Sequence, residues 1–415
     1  MKVLLCSSSD IGGGAARSAY RLHQGLQGLP DLQVDSQILV QTKISDDFRV
    51  LSGSSKLSKG LAKLRPTLDQ LPLYRYPKRD RTVFSPQWLP NSLDDLISEA
   101  DPEIINLHWV CDGFIPIKAL RQFKQPLVWT LHDMWAFTGG CHYNADCMNY
   151  TNSCGTCPQL HSSKEKDLSR WIWQRKAKAW QNLNLTIVTP SHWLAKCAAS
   201  SSLLKDMRIE VIPNGLDTIQ YRPIQKSVAR SILGLPEDKQ LILFGAISAT
   251  SDPRKGFNLL QSALQKLSES GWGERVELVV FGASQPKNLP ELGLKSHYLG
   301  RLNDDISLSL AYAAGDVFLA PSVQDNLPNT VMESLACGTP CVAFDIGGMS
   351  DMIEHQQNGY LAKPFDIDDL ARGITWLLED EERLRKLGIN GRKKVENNFT
   401  LEIQANNYLS VYQDM

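Results

Sequence analysis

Short apolar runs alternate with stretches of helical spacing along most of the chain. The runs at residues 3–6, 104–107 and 276–281 each end in a polar or glycine-rich turn. Between such runs, apolar residues recur at helical spacing, as they do over residues 257–267. Continuous apolar runs bounded by turns are typical of buried strands, and their alternation with helices predicts doubly wound α/β structure with parallel sheets.

The alternation restarts in the second half of the chain, which predicts two domains. An apolar strand end followed by a proline and a glycine at residues 211–217 marks the boundary, so we expect domains over residues 1–215 and 216–396. The other predicted strands lie at residues 34–40, 127–131, 186–188, 241–247, 298–300, 317–320 and 341–344, and the other helices at 171–180, 367–379, 382–396 and 400–412.

One stretch, LAPSVQDNLPNTVMESLACGTPCVAFDIGG at residues 319–348, organises the second half. It predicts a strand, a polar loop, a helix that begins at Pro328 and ends at Gly338, and another strand. Asp325 in the loop and Glu333 in the helix would lie at the carboxyl end of a parallel sheet, where α/β sheets bind ligands. Singly, each acid is better explained as a loop cap or an exposed helix residue. The whole string favours a site in which helix N–H groups bind phosphate and carboxylates accept from sugar hydroxyls.

The stretch resembles the E-x7-E signature of the retaining GT-B glycosyltransferases of family GT4, with Asp325 in place of the first glutamate. The resemblance covers essentially the whole chain, including an IPNGID-like hinge at residues 211–217. It implies two doubly wound Rossmann-like domains facing a cleft, with a last helix over 397–415 packed back on the first domain. It also implies that Asp325 contacts the donor sugar, that Glu333 holds the nucleotide ribose, and that the intervening residues face the diphosphate and sugar: Asn326, Leu327, Pro328, Asn329 and Thr330.

Arg254 and Lys255 precede the helix predicted over residues 257–267. Two cations there are unfavourable against the helix dipole unless an anion lies between them, so they favour a diphosphate site over surface decoration. The GT4 resemblance implies that an arginine and a lysine neutralise the leaving diphosphate. The usual arginine position, five residues before the lysine, is Thr250 here, so Lys255 is the firmer candidate and Arg254 a displaced one.

The first strand is followed by a glycine loop that opens a helix. Such a turn suits phosphate or a close backbone approach, although a lone glycine turn is more often a tight connection. The nicotinamide fingerprint G-x-G-x-x-G is broken by Arg17 in the place of its third glycine. The GT4 resemblance implies that Gly13 and Gly14 lie near the donor phosphates, with Arg17 as a candidate charge partner.

Two histidines follow strand ends on the edge of the sheet that carries the glycine loop. His108 and Trp109 follow one strand, and His132 follows the next. A histidine at a strand end is often structural, but two on one rim, beside Trp109 and Trp135, indicate a sugar site. The GT4 resemblance implies that His132 contacts the donor sugar and the transferring centre; His108 and Trp109 are acceptor-side candidates.

A glycine- and asparagine-rich loop over residues 139–161 contains four cysteines. A loop of this length needs something to hold it, and in a reducing compartment the thiols predict a structural zinc knuckle. Two disulfides or four unconnected thiols are the alternatives, with His142 and His161 as substitute ligands. A similar cluster occurs in a subset of GT4 bacterial polysaccharide transferases. The four residues, spaced C-x5-C-x6-C-x2-C, are Cys141, Cys147, Cys154 and Cys157.

Composition is that of an ordinary globular protein. Of 415 residues, 42% are hydrophobic and 21% charged, and a net charge of −1 gives no general attraction to nucleic acid. Because no apolar stretch is long enough to span a membrane and the first strand turns polar at Ser7, we expect a cytoplasmic protein. Residues 56–81 mix lysine and arginine with leucine. A solvated insertion is the favoured interpretation and peripheral contact with anionic lipid at the inner membrane face the alternative, although prolines rule out one long helix there.

Beside these features, the GT4 resemblance implies a retaining hexosyltransferase of polysaccharide biosynthesis. It would move a sugar from a UDP- or GDP-sugar to a hydroxyl of a glycan or lipid-linked glycan. Lys255, Arg254 and helix N–H groups would stabilise the diphosphate, and without a D-x-D signature no cofactor is expected for catalysis. The alternatives are a non-hydrolysing sugar-nucleotide epimerase and a catalytically decayed binding or scaffold protein with a zinc knuckle.

Overall fold

A computed structural model describes residues 1–30, 34–91, 93–245, 252–282 and 292–415. The chain divides into two compact units, of which the first comprises Met1–Gly215 with Leu401–Met415 and the second comprises Leu216–Thr400. The returning segment therefore begins at Leu401 and not at residue 397. The reason is that the preceding helix runs on to Asn398, and Thr400 forms a bridge with Leu216 inside the second unit.

The first unit contains a parallel sheet of seven strands among the described residues, in the order β3-β2-β1-β4-β5-β6-β7. Its strands are β1 Lys2–Ser9, β2 Asp35–Thr42, β3 Val50–Leu51, β4 Ile104–Leu107, β5 Leu127–Thr130, β6 Leu185–Thr189 and β7 Arg208–Val211. Its helices before the boundary are α1 Gly14–Gln27, α2 Lys56–Asp69, α3 Asp94–Ala100, α4 Leu168–Trp180 and α5 His192–Ser200.

The second unit contains a parallel sheet of six described strands in the order β10-β9-β8-β11-β12-β13. The strands are β8 Gln240–Gly245, β9 Val276–Phe281, β10 Ser296–Gly300, β11 Val317–Ala320, β12 Cys341–Phe344 and β13 Gly359–Ala362. The helices are α6 Lys226–Leu233, α7 Phe257–Leu267, α8 Asp305–Ala314, α9 Asn329–Ala336, α10 Met349–Met352, α11 Ile367–Leu378 and α12 Glu381–Asn398.

Both sheets are buried on both faces. Successive strand residues point to opposite sides of a sheet, so alternate residues of one strand join different core clusters. In β1, Leu4 and Cys6 join one core cluster and Val3 and Leu5 join another. The second of these clusters is completed by the last helix, α13 Leu401–Gln413, which covers that face of the first unit's sheet. Buried apolar strands of this kind are what the continuous apolar runs in the sequence predict.

Each sheet reverses its strand order at one point, and the predicted site residues follow strands at these points. In the first unit the reversal lies between β1 and β4; in the second it lies between β8 and β11. The crevice outside the carboxyl ends of such strands is the ligand-binding position of open α/β sheets. The fold thus supplies one candidate rim in each unit.

The segment over residues 56–81 does not form one long helix, as its prolines predict. The helix α2 passes through Pro66 and ends at Asp69, and a 3-10 turn over Leu71–Arg75 follows. Because Pro66 lies in the last turn, its missing N–H removes one hydrogen bond near the helix end and does not break the helix. Among the described residues, no helix is both long and apolar enough to cross a membrane.

Candidate functional site

In the second unit, an ion pair lies at the carboxyl end of β11. The ammonium of Lys255 lies 2.7 Å from a carboxylate oxygen of Asp325. The exposed fractions of these two side chains are only 20% and 11%. The hydroxyl of Ser322 donates to the same oxygen at 3.3 Å, and the backbone N–H of Asn326 donates to the other at 3.1 Å. Asp325 is therefore held by three donors and itself holds Lys255 at the rim.

Asp325 is ionised in this environment. Burial alone would raise its pKa, but attraction to Lys255 and Arg254 outweighs burial and lowers the pKa below its usual value. Arg254 has its own partner, because its guanidinium lies 2.7 Å from a carboxylate oxygen of Asp252. The protein's own carboxylates thus balance the two cations at the start of α7, and an external anion is not needed for that purpose. Thr250, the usual arginine position of the family, lies outside the described residues.

Two glycines allow the backbone to pass close to the Asp325 loop. Gly256 has φ of 69°, and a Cβ there would lie 1.8 Å from the carbonyl oxygen of Pro321. Gly347 has φ of 56°, and a Cβ there would lie 1.9 Å from the carbonyl oxygen of Asp325. Because any side chain at these positions would collide with backbone, both must be glycine for the loop to keep its position.

Glu333 is buried on α9, so the alternative of an exposed helix residue is wrong. Only 4% of Glu333 is exposed, and the hydroxyl of Tyr312 donates to its carboxylate at 2.8 Å. Burial, together with the nearby charge of Glu333, raises the pKa of Tyr312 well above its usual value, so the phenol stays a donor. A carboxylate has about four acceptor positions, so Glu333 can also accept from a ligand hydroxyl.

The residues between the two acids form the start of α9. Pro328 occupies the cap position directly before the helix, where no side chain caps the first turn. Asn326, Leu327 and Pro328 are buried, whereas Asn329 and Thr330 are partly exposed. An uncapped helix start carries partial positive charge, which favours an anion at this place.

In the first unit, the glycine loop follows β1, the strand whose end is bonded to Trp109. Gly13 has φ of 111° and precedes α1, and a Cβ at Gly13 or Gly14 would meet nothing within 4 Å. The backbone N–H of Ser8 donates to the carbonyl of Trp109 at 2.8 Å. The loop is fixed by the buried carboxylate of Asp10, which accepts from the backbone N–H groups of Ile11, Ile44 and Ser45.

The two predicted histidines form a hydrogen-bonded pair. Nδ1 of His108 lies 3.0 Å from Nε2 of His132, and the ring centroids are 5.3 Å apart. Burial lowers the pKa of His132 to about 4 and that of His108 well below its usual value. Both rings are therefore neutral at pH 7. His108 is buried and His132 partly exposed, so of the two His132 is the one that a ligand can reach.

Asp133 connects this rim to the cysteine-rich loop. One carboxylate oxygen of Asp133 accepts from the indole N–H of Trp109 at 2.8 Å and lies 2.7 Å from Nδ1 of His142. Nε2 of His142 lies 2.8 Å from the hydroxyl of Ser85. The order serine, histidine, aspartate is that of a hydrolase triad, but Ser85 is fully buried and no substrate can reach it. The network is structural and holds Trp109 and Asp133 in place.

Comparisons with known families decide the identity. The description "Glycosyltransferase Family 4" matches residues 12–220, which is just over half of the chain. The chain belongs to glycosyltransferase family 4. The description "Glycosyl transferases group 1" matches residues 225–394, which lie in the second unit, whereas the first match lies mostly in the first unit and ends just past Gly215.

Relatives of this family-4 protein are glycosyltransferases. An uncharacterized glycosyltransferase of Methanocaldococcus jannaschii, MJ1607, is 25% identical over 276 residues, covering 64% of this chain and 67% of that protein. The sulfoquinovosyl transferase SQD2 of Arabidopsis thaliana is 30% identical over 221 residues, 51% of this chain and 41% of SQD2. A D-inositol 3-phosphate glycosyltransferase of Segniliparus rotundus is 30% identical over 218 residues, 50% and 47% of the two chains. The match thus spans less than half the length of the latter two relatives.

Solved structures share the fold over the whole chain. Sucrose-phosphate synthase from Thermosynechococcus elongatus has a TM-score of 0.70 at 18% identity, covering 100% of this chain and 98% of that one. Anabaena Alr3699/HepE, solved in complex with UDP and glucose, has a TM-score of 0.66 at 17% identity, covering 100% of both chains. The predicted fold class of two Rossmann-like α/β domains in the GT-B group is confirmed.

Three site residues of the family-4 protein were missed by sequence reasoning. Asp10 holds the glycine loop, Ser322 donates to Asp325, and Tyr312 donates to Glu333. In the sequence, Ser322 stands out only as part of the Pro-Ser pair that ends the strand over residues 317–320. Tyr312 lies on α8, far from the signature in sequence, and nothing in the local pattern separates it from an ordinary core tyrosine. For Trp135 the sequence predicted a place beside a sugar site, but the residue is buried in the core and is not part of a sugar surface.

The cysteine-rich loop of the family-4 protein contains the four thiols that were predicted to bind zinc. Among the described residues, no group of three or more His, Cys, Asp or Glu side chains is placed to hold a metal ion. Zinc binding by the four cysteines stays a prediction. With no metal ion bound, burial raises the pKa of Cys154 to about 12 and that of Cys157 to about 11. The four residues of the predicted set are free thiols, namely Cys141, Cys147, Cys154 and Cys157.

Other contacts hold this loop. The backbone N–H of Cys157 donates to Asp167 at 2.8 Å. The ammonium of Lys176 is buried and donates to the carbonyls of Trp135 and Thr138. The proposed substitute ligands are already engaged, since both ring nitrogens of His142 are used and His161 lies 2.8 Å from Asp80. Hydrogen bonds therefore contribute to the order of the loop.

Proposed function

We propose that this chain transfers a sugar, with retention of anomeric configuration, from a nucleotide-diphosphate donor to a hydroxyl of a glycan or lipid-linked glycan in polysaccharide biosynthesis. The observation that carries the proposal is the buried pair of Lys255 and Asp325 beside the uncapped start of α9, which also holds the buried Glu333. This arrangement combines a cation and helix N–H groups for phosphate with two carboxylates for sugar hydroxyls.

The diphosphate is assigned to Lys255 and the first turn of α9. An ammonium group has three N–H donors, so Lys255 can donate to a phosphate oxygen while it keeps Asp325. Arg254, paired with Asp252, adds positive charge nearby. Because these groups are fixed before the ligand arrives, they stabilise the charge that develops on the leaving group without reorganisation.

The reaction would proceed by same-face substitution. The bond between C1 of the sugar and the phosphate oxygen breaks, and its electron pair goes to the departing diphosphate. The acceptor hydroxyl attacks the oxocarbenium-like C1 from the same face, and its proton passes to the departing phosphate oxygen. Asp325 would accept from donor-sugar hydroxyls and Glu333 from the ribose. His132, neutral and partly exposed, would bond to the sugar at the transferring centre.

The rim of the first unit would serve the acceptor. Trp109 is partly exposed and held by its indole N–H on Asp133, which presents an aromatic surface of the kind that packs on sugar rings. His108 would act through His132, because it is buried and its Nδ1 lies against that ring. Gly13 and Gly14 leave room for a phosphate or a hydroxyl to approach the backbone.

The test is a panel of UDP- and GDP-sugars, with nucleotide release measured with and without candidate glycan and lipid-linked acceptors. UDP-glucose is the first probe, because a protein of the same fold was solved with it. We expect release that depends on the acceptor, and an α-linked product from an α-linked donor by NMR.

Three results would refute all or part of the proposal in different ways. Conversion of the donor to an epimer without acceptor would identify an epimerase. Tight donor binding with no turnover for any acceptor in the panel would identify a binding protein. An inverted product would leave transfer intact and refute retention.

A further inference from the structure

Helix α2 directs its leucines away from the body of the first unit. Its four leucines recur at helical spacing and so form one stripe along the helix. An amphipathic helix normally buries such a stripe, yet here all four leucines are exposed. Their exposed fractions are 74%, 47%, 57% and 38% for Leu57, Leu61, Leu64 and Leu68.

A neighbouring side of α2, roughly a quarter-turn round the helix from the leucines, is fixed to the protein by polar groups. Asp69 is fully buried, and its carboxylate accepts from the backbone N–H groups of Gln87 and Trp88 at 3.1 Å each. The guanidinium of Arg65 donates to the carbonyl of Gly113 at 2.8 Å. Asp69 and Arg65 are four residues apart and lie on one side of the helix. These contacts fix how α2 is rotated about its own axis, and in this orientation its leucines face solvent.

The apolar surface continues beyond the helix. Leu71 and Tyr74 in the following 3-10 turn are 44% and 75% exposed. The indole of Trp88, 37% exposed, donates to the carbonyl of Leu68 at 3.2 Å and so lies beside the end of the stripe. These side chains and the four leucines define the leucine surface. A continuous exposed apolar surface of this kind marks a binding face.

Charge around the leucine surface selects the partner. Residues 56–81 contain eight lysines and arginines against two acids. One acid, Asp69, is buried, and the other, Asp80, lies 2.8 Å from the ring of His161. Lys56, Lys59 and Lys63 lie on α2 and are exposed. Leucines flanked by cations on one helix are the pattern of a helix that lies in the interface of an anionic bilayer.

We propose that the leucine surface binds an anionic lipid bilayer, with α2 lying parallel to the membrane and its leucines in the acyl boundary. The site of attachment is close to the candidate acceptor rim. Gln87, whose backbone N–H bonds Asp69, also donates through its side chain to the carbonyls of Val110 and Ile115, in the loop that begins after Trp109. A lipid-linked acceptor would thus be presented to this rim; only that consequence rests on the proposed function.

The test is co-sedimentation of the full chain with vesicles of phosphatidylcholine alone and of phosphatidylcholine with phosphatidylglycerol. We expect binding to the anionic vesicles, at least about tenfold weaker binding to neutral ones, and release by salt. The variant Leu57→Ser/Leu61→Ser/Leu64→Ser should lose about tenfold or more in binding to anionic vesicles, because three apolar side chains no longer leave water. Lys56→Gln/Lys59→Gln/Lys63→Gln should abolish the preference for anionic lipid.

A matched control exists on α6 of the second unit. Val228 and Ile232 are one helical turn apart and 44% and 62% exposed, so Val228→Ser/Ile232→Ser removes similar apolar surface elsewhere. This control should bind vesicles as the unaltered chain does. Equal vesicle binding by the leucine variant and the control would overturn the proposal. So would failure of the unaltered chain to bind anionic vesicles.

Self-association is the competing outcome. A concentration-dependent dimer in analytical ultracentrifugation that the leucine variant abolishes, without any vesicle binding, would assign the surface to a second copy and overturn the lipid proposal. Soluble glycan acceptors separate this result from the proposed function, because turnover with them should be the same in the leucine variant and in the unaltered chain.

Discussion

Replacing Lys255 by alanine separates two roles of one side chain. Lys255 neutralises Asp325 in the folded protein, and in the proposed reaction it stabilises the leaving diphosphate. Loss of one preorganised charged donor typically costs about 10²–10³-fold in turnover, so we expect Lys255→Ala to reduce kcat by that factor. The same change should also reduce stability, because it leaves the carboxylate of Asp325, whose side chain is only 11% exposed, without its closest cation.

The size of the stability effect follows from the burial of the pair. Breaking a fully buried ion pair costs about 3–5 kcal/mol, but Lys255 is 20% exposed and Arg254 remains nearby, so about 1–2 kcal/mol is expected. For a unit of this size that corresponds to a loss of about 2–8 °C in melting temperature. The stability lost in Lys255→Ala should grow as the pH rises through the range in which carboxyl groups ionise. Without Lys255 the pKa of Asp325 is raised by burial, and the charged form then opposes folding.

The double variant Lys255→Ala/Asp325→Asn tests the reasoning. It removes the unpaired charge, so the melting temperature should recover while nucleotide release stays low. Lys226→Ala is the matched control. It breaks a pair with Asp316 in the same unit, before β11, and leaves Asp316 bonded to Arg230. Calorimetry and release of nucleotide from UDP-glucose supply both readouts. Turnover of Lys255→Ala within threefold of the unaltered chain would refute the assignment of Lys255 to the diphosphate.

Three further changes test separate parts of the structure. Glu333→Gln should weaken binding of nucleoside diphosphate by about tenfold to a hundredfold in titration calorimetry, because a charge-assisted hydrogen bond is lost; unchanged affinity would contradict the ribose assignment. His132→Asn should flatten the fall in stability as the pH drops from 6.5 to 4. Because the pKa of His132 in the folded chain is about 4, only the unfolded chain gains a proton in this range, which lowers the free energy of unfolding by about 1.4 kcal/mol per pH unit. An unchanged slope of stability against pH would contradict the neutral state of this histidine. Gly347→Ala should lower the melting temperature, because the added Cβ would lie 1.9 Å from the carbonyl oxygen of Asp325. Gly60→Ala, on the open surface of α2, should raise the melting temperature. Equal effects of the two changes would contradict the close approach of Gly347 to the Asp325 loop.

The sequence was sufficient for the fold because both sheets are buried on both faces. Strands of that kind are continuous apolar runs, and β4, β9, β11 and β12 have their predicted bounds. The residues at the strand ends could also be placed, since parallel strands bring their carboxyl ends to one edge. That is why His108 and His132, 24 residues apart in the chain, could be expected on one rim and lie in hydrogen-bond contact.

Sequence reasoning failed where the outcome depends on contacts between distant segments. The burial of Glu333 depends on Tyr312, and the engagement of His142 depends on Ser85, 57 positions earlier. The direction of the leucine stripe on α2 is set by Asp69 bonding the backbone at residues 87 and 88. Periodicity shows that α2 has an apolar side, but only these long-range contacts show that the side faces outward.

The return of the last helix to the first unit has a consequence for synthesis on the ribosome. Ala405, Tyr408 and Tyr412 on α13 fill the core face formed by strands such as β1 and β5, and Tyr408 bonds Thr130 at 2.8 Å. That face stays uncovered until Leu401–Met415 has been translated, whereas Leu216–Thr400 is one uninterrupted segment. The later-made unit can thus reach its native state before the earlier one. A nascent chain stalled before Leu401 would offer an exposed sheet face to chaperones.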